Sequence, residues 1–240
     1  MTSISIGLVS EGKSDFHIFE WCLGAALREI GIESRFRRIS PVLDSTSGTY
    51  TEGGWRKVYQ WCLRNKLGDR GRFFGGGLFA GDEDDLDVIL VHLDGDIHPH
   101  FISQHPGDLI CPVQPEAWGS LPAERVNFCR ALIEDWLFGS APVDNRDACA
   151  ATPTIMATEA WLIGGLGYHP TPENLANPKA DFARLWLLNT GRVVPPNIRK
   201  LKKHADEVQR AVGSSRPNLD FANTDAALQA ALAAARVYAK

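Results

Sequence analysis

The chain has 240 residues, of which 44% are hydrophobic and 22% charged, and its formal net charge is -4. That length buries a sizeable core without disulfide or metal staples, so the class is globular: one α/β domain, alone or with an appended helical part. The acidic balance excludes a global basic field, and any nucleic-acid contact has to come from a local patch or a partner's surface.

Ile4, Ile6 and Leu8 alternate with Ser5 and Gly7 as in a half-buried strand, after which Phe16, Phe19, Leu23, Ala26, Leu27 and Ile30 recur at helical spacing. The two make a β-loop-α unit with its turn at Ser10 to Ser14. A second strand is expected around Ser34 to Val42. After the polar, glycine-rich Ser45 to Gly54, a second amphipathic helix is expected around Trp55 to Leu67, with Trp55, Val58, Tyr59 and Cys62 on one side. Val88 to Leu93 is apolar without alternation, the pattern of a strand buried on both faces and therefore central. The segment from Ile97 to Leu121 is rich in Pro, Gly and His and shows no period, so it reads as a long loop. Pro122 to Phe138 reads as a helix with Val126, Cys129, Ile133, Trp136 and Leu137 inward. A fourth strand is expected at Pro153 to Ala157, followed at once by a helix carrying Thr158 to Leu162.

This strict alternation predicts an open, mostly parallel four-stranded sheet flanked by helices. From Tyr168 the pattern is helical, broken by prolines, so residues 1–167 read as the α/β domain and 168–240 as a helical C-terminal extension packed on it. The five cysteines have no CxxC pair or zinc spacing and read as reduced packing residues. Polar Thr2 and Ser3 lead straight into a strand, and no apolar run approaches the ~20 residues needed to cross a bilayer. A cytoplasmic location without membrane contact is expected.

Two short stretches carry the chemistry. Glu11-Gly12-Lys13-Ser14-Asp15 follows the first strand, and Asp94-Gly95-Asp96 follows the central one. In an open parallel sheet the carboxyl ends of the strands line one crevice, where ligands bind. Carboxylates from two strands can converge there on a divalent cation, Mg²⁺ or Mn²⁺, held by a few carboxylates plus substrate phosphate. Such an ion polarises a phosphodiester and lowers the pKa of an attacking water, while Glu11 could serve instead as general base. Local explanations stand beside this one. Asp and Gly are turn residues, a carboxylate in a first helical turn answers the helix dipole, and Ser14 could be an N-cap. None of them accounts for the joint placement of Glu11, Asp15, Asp94 and Asp96 at one sheet edge. Because removing clustered negative charge relieves repulsion, replacing Asp94 and Asp96 is expected to abolish activity with little loss of fold.

Gly7 to Ser14 also satisfies the phosphate-loop pattern GxxxxGK[ST], which makes a nucleotide hydrolase the alternative. That pattern requires the strand to finish before its first glycine. Here the apolar alternation runs through Gly7 to Val9, and Glu11 would set a negative charge inside a cradle meant for phosphate.

A strand ending in Glu-Gly-x-x-Asp and a later one ending in Asp-x-Asp resemble the Toprim fold, the metal-binding module of topoisomerases, primases and overcoming-lysogenization-defect nucleases. The likeness is closest to the small Toprim-like proteins of bacterial defence loci, in which a Glu-Ala-Trp-Leu stretch follows the Asp-x-Asp strand, here Glu159-Ala160-Trp161-Leu162. The resemblance implies a metal-dependent nuclease acting on DNA or RNA, the effector of an antiphage system with an ATPase partner. Glu11, Asp94 and Asp96 would be its acidic set, with Asp15 and Glu159 as further ligands or ligand-orienters. A catalytically silent Toprim-like subunit that only binds a partner or nucleic acid is the third reading.

Glu159 could equally be only a first-turn carboxylate. His98 lies nearest the Asp-x-Asp and could orient water or phosphate. Lys13 is a candidate for phosphate contact, as are Lys200 and Lys203, which share a face at i, i+3 on a predicted helix. Arg35, Arg37 and Arg38 form a second candidate basic patch, and of the tryptophans only Trp118 is a candidate for base stacking.

Overall fold

The structure is a computed structural model that describes residues 2–41, 43–44, 49–50, 54–75, 85–95, 122–142, 147–154, 157–191, 208, 212–213, 216–223 and 225–240. Strands β1 (Thr2–Val9), β2 (Ile32–Ser40), β5 (Val88–Val91) and β6 (Cys149–Ala151) form one sheet in the order β2-β1-β5-β6, and every pairing is parallel. The short strands β3 (Leu43–Asp44) and β4 (Thr49–Tyr50) make a separate antiparallel pair. The helices are α1 (Lys13–Glu29), α2 (Trp55–Arg64), α3 (Pro122–Phe138), α4 (Glu159–Gly165), α5 (Pro178–Thr190) and α6 (Ala226–Tyr238).

Alternate residues of a strand point to opposite faces, and both faces of this sheet are covered. Ile4, Ile6, Leu8, Val88 and Leu90 pack against Phe19, Leu23 and Leu27 of α1, Trp161 of α4 and Leu228 of α6. Val9, Ile89 and Val91 pack on the other side against Val58 and Cys62 of α2 and Cys129 and Ile133 of α3. Every residue of β5 is buried, as a central strand requires. Each fully buried aliphatic side chain contributes about 1.5–3 kcal/mol relative to an exposed one. The sheet therefore tolerates a polar substitution worst at Ile89 or Leu90. Phe182 and Trp186 of α5 join the first cluster, and the last residue, Lys240, exchanges backbone hydrogen bonds with Ser3 of β1. The helical end is thus packed onto the sheet's own core. The four described cysteines are free and buried. Among the described residues no helix is long and apolar enough to cross a membrane.

Helix α3 spans the expected residues, whereas other boundaries moved. β2 starts two residues early and stops before Pro41, α2 ends at Arg64 rather than Leu67, and Ile30 caps α1 with 42% exposure instead of facing the core. The largest correction concerns β6, which is Cys149–Ala151 and not Pro153 to Ala157. Cys and Ala have weak strand preference, so periodicity hides them. Beyond β6 the ladder continues through Thr152 N–H to the Val91 carbonyl and Thr154 N–H to the Leu93 carbonyl. Pro153 falls between these donors, at the position that needs none. The Ile97 to Leu121 loop and the Arg199 to His204 basic run lie outside the described residues.

Candidate active site

The register aligns the carboxyl ends of three neighbouring strands, with Val9 beside Val91 and Val91 beside Ala151. The residues that follow, Ser10 to Gly12, His92 to Gly95 and Thr152 to Thr154, therefore meet at one edge. His92 N–H still donates to the Val9 carbonyl at 2.8 Å, which holds the first two segments side by side.

Four of the expected carboxylates come together here. The backbone N–H of Asp94 donates to Glu11 Oε1 at 2.8 Å, a direct tie between the two motifs. Asp15, in the first turn of α1, is buried; its Oδ2 accepts from Gly12 N–H at 2.7 Å and its Oδ1 from the Thr158 hydroxyl at 3.0 Å. The N-cap of α1 is Gly12, so Ser14 does not take that part. Glu159, 4% exposed, opens α4, and its charge bears on Asp15. The close approach of α4 to α1 depends on Gly165, where a Cβ would stand 2.5 Å from Trp21.

Asp94 is the hub. Its Oδ1 accepts from Thr158 N–H at 3.1 Å and the Thr154 hydroxyl at 3.3 Å and faces His92 Nε2 at 3.2 Å, while its Oδ2 pairs with Lys179 Nζ at 3.0 Å. The other nitrogen of His92, Nδ1, lies 2.9 Å from the Thr152 carbonyl. Both ring nitrogens thus face acceptors, and only the imidazolium donates to both.

These charges do not balance. Burial, then the negative charge of Asp94, pushes the Glu11 carboxyl up to about 8. The same two causes raise Asp15 to about 6. Burial works against ionisation of Asp94 as well, but the Lys179 ammonium and His92 outweigh it and hold this carboxyl well below the usual range. His92 is opposed by burial yet lifted to about 9 by Asp94 and Asp15. At neutral pH the site holds an ionised Asp94 between two cations, with Glu11 still protonated. Outside this cluster, burial and then the charges of Arg38 and Lys13 lower the pKa of His17.

Carboxylate oxygens suit a hard divalent cation in kind. Among the described residues, however, no group of three or more His, Cys, Asp or Glu side chains stands ready to hold a metal ion. At Asp94 the place of a cation is taken by Lys179. Asp96, His98, Lys200 and Lys203 lie outside the described residues, and Lys13 stands at the start of α1.

His92 and Lys179 were not legible as site residues. His92 carried a signal, since a residue two before Asp94 at a strand end shares its side. Lys179 lies 85 residues from Asp94 and carried none.

The phosphate-loop alternative meets a specific obstacle, because Gly7 to Val9 are strand, paired to β2 on one side and β5 on the other. Gly7 packs closely there: a Cβ would come within 2.5 Å of Ile39 Cδ1 and 2.6 Å of Leu86 Cδ1, so those side-chain ends would have to shift.

Fold and site together define an α/β protein with an all-parallel four-stranded sheet and a buried acidic cluster at that sheet's carboxyl edge. No family model, curated protein or solved structure matches the chain.

Proposed function

We propose that the protein is a divalent-metal-dependent nuclease of the Toprim-like kind, hydrolysing phosphodiester bonds of DNA or RNA and working with an ATPase partner in antiphage defence. The observation that carries the reading is the hydrogen bond of Asp94 to Glu11, which brings the ends of two separate strands together with Asp15 packed beside them. Glu11, Asp15, Asp94, Asp96 and Glu159 are the candidate ligands for Mg²⁺ or Mn²⁺; the described ones do not stand as a ready group of three, so on this reading Lys179 yields its place at Asp94 to the ion. The ion supplies charge neutralisation at the phosphate and a more acidic bound water. If Glu11 serves instead as general acid or base, its pKa of about 8 suits exchange of a proton near neutral pH. Thr154 and Thr158 orient Asp94, and His92 buttresses it from below.

The binding-only reading is favoured by one observation, the Lys179–Asp94 ion pair, which fills the place of a cation. One assay separates the two. Purified protein is incubated with plasmid, single-stranded DNA and total tRNA in Mg²⁺ or Mn²⁺, beside an Asp94→Asn control. Metal-dependent cleavage that disappears in the control supports the nuclease. Failure to cleave any of the three, with the ATPase partner absent and then present, overturns it in favour of the binding subunit. The nucleotide-hydrolase reading requires Lys13, so phosphate release from ATP that is lost in Lys13→Ala would restore it.

A further inference from the structure

We propose that Lys13 and Arg38 form a seat for a backbone phosphate of a nucleic-acid strand, at the rim of the crevice beside the carboxylates. Arg38 lies at the carboxyl end of β2, opposite Leu8 of β1. Its parity puts it on the face of Ser34 and Phe36, the two side chains that meet Gly24 of α1, so it reaches toward that helix. Its guanidinium stands 4.5 Å above the Phe16 ring, and Nη2 donates to the Lys13 carbonyl at 3.3 Å. The arginine is thus held in place by a ring and a carbonyl instead of ranging through solvent. Lys13 is the first residue of α1, two positions after Glu11. Two basic residues from different elements therefore meet at the sheet edge that carries Glu11, Asp15 and Asp94, joined through the Lys13 carbonyl. An exposed carboxylate, Glu20, senses Arg38 from the next turns of the helix.

An arginine fork with a neighbouring lysine is the arrangement that recognises phosphate oxygens. The adjacent carboxylates decide which phosphate. A phosphodiester carries a single negative charge, whereas a free nucleoside triphosphate brings several and is repelled more strongly by the acidic cluster. The assignment rests on the nuclease reading for its substrate class, but its test does not depend on cleavage.

The test uses the full chain in EDTA with fluorescein-labelled single-stranded DNA and RNA 20-mers, read by anisotropy across a NaCl series. Lys13→Ala, Lys13→Ala/Arg38→Ala and Arg38→Lys are compared, with circular dichroism confirming the fold. Each lost phosphate contact lowers the slope of log K against log[salt] by about 0.7, so the double variant is expected to lose about 1.4 and Lys13→Ala about half of that. Arg38→Lys is expected to keep the slope, because it keeps the charge. An unchanged slope and affinity in Lys13→Ala and in the folded double variant overturns the seat and leaves the nuclease to be judged by its Asp94→Asn control. A reduced slope in a protein that cleaves nothing supports the seat while the nuclease falls. Displacement of the 20-mer by 1 mM ATP as effective as by unlabelled 20-mer, on the order of equal phosphate concentration, overturns the polymer assignment in favour of a free nucleotide.

Discussion

Among the described residues, two clusters of ionisable groups are built on opposite principles. Arg70 is fully buried, yet its guanidinium meets both oxygens of Asp147, at 2.6 and 2.9 Å, and the carbonyls of Asn65 and Leu137. One positive charge faces one negative charge, and the pair ties the end of α2 to the end of α3 and the start of β6. The strand-end cluster instead gathers Glu11, Asp15, Asp94 and Glu159 against His92 and Lys179, and two of its carboxyls are raised by burial and mutual repulsion. Charge matching marks a clamp, whereas unmatched carboxyls kept at an internal cost are what the proposed nuclease site calls for.

The largest effect expected from breaking that contrast is at Asp94. Asp94→Asn should lower cleavage about a thousandfold or more, measured as initial rate on the preferred substrate. Asp94→Ala should also destabilise the fold, by about 3–5 kcal/mol in urea melts, because it strands the buried His92 and removes the partner of Lys179. The expectation that removing clustered charge leaves the fold intact therefore fails at this residue and passes to Glu11 and Asp15, whose carboxyls are the repelled ones. Arg70→Ala should match that loss of stability, about 3–5 kcal/mol, while any activity change follows only the fraction folded.

A smaller effect separates the clusters by pH. Glu11, Asp15 and His92 all have folded pKa values above their ordinary ones, about 8 against 4.5, about 6 against 3.8 and about 9 against 6.5. The folded state binds these protons more tightly, so the stability they contribute is complete below the ordinary values and is lost as pH rises through the folded ones. Asp94 is shifted downward and contributes above its ordinary value, losing that contribution only in acid. In EDTA, the melting temperature should fall between pH 5 and pH 9. Glu11→Gln should flatten that decline, and a divalent cation should reverse it if the carboxylates bind one.

The smallest expected effect is at Asp225, which caps α6 and is raised to about 6, first by burial. Its Oδ1 accepts from both Leu228 N–H and Trp161 Nε1, bonds that Asn can keep through its amide oxygen, and the Ala227 N–H also bonds the carboxyl. Asp225→Asn should leave stability unchanged at pH 4 and raise it at pH 8, by about 1–3 kcal/mol from a shift of roughly two pKa units. Equal melting curves for the two proteins at pH 8 would refute this.

The sheet and its two covered faces were legible because their signals are local. Val88 to Val91 announces a doubly buried strand by its unbroken apolarity, and Pro122 to Phe138 announces a helix by its period. β6 was misread by four residues, since Cys149, Ala150 and Ala151 carry no strand signature and acquire one only from the edge that β5 offers them. The acidic motifs were legible as ends of strands, and the parallel arrangement brought Glu11, Asp15, Asp94 and Glu159 to one place.

The amino-acid sequence by itself determined the segments of the first two sheet strands, the central strand and the main helices, β6 excepted, and that carboxylates close two of the strands, because period, turn chemistry and residue type act over a few positions. Only the tertiary structure decided how those carboxylates differ from one another. Asp94 is held ionised because Lys179, 85 residues away, and the buried His92 converge on it, and Glu11 keeps its proton because the same packing gives it burial and a negative neighbour. Electrostatic energy depends on distance and on exclusion of water, and neither quantity exists until the chain has folded.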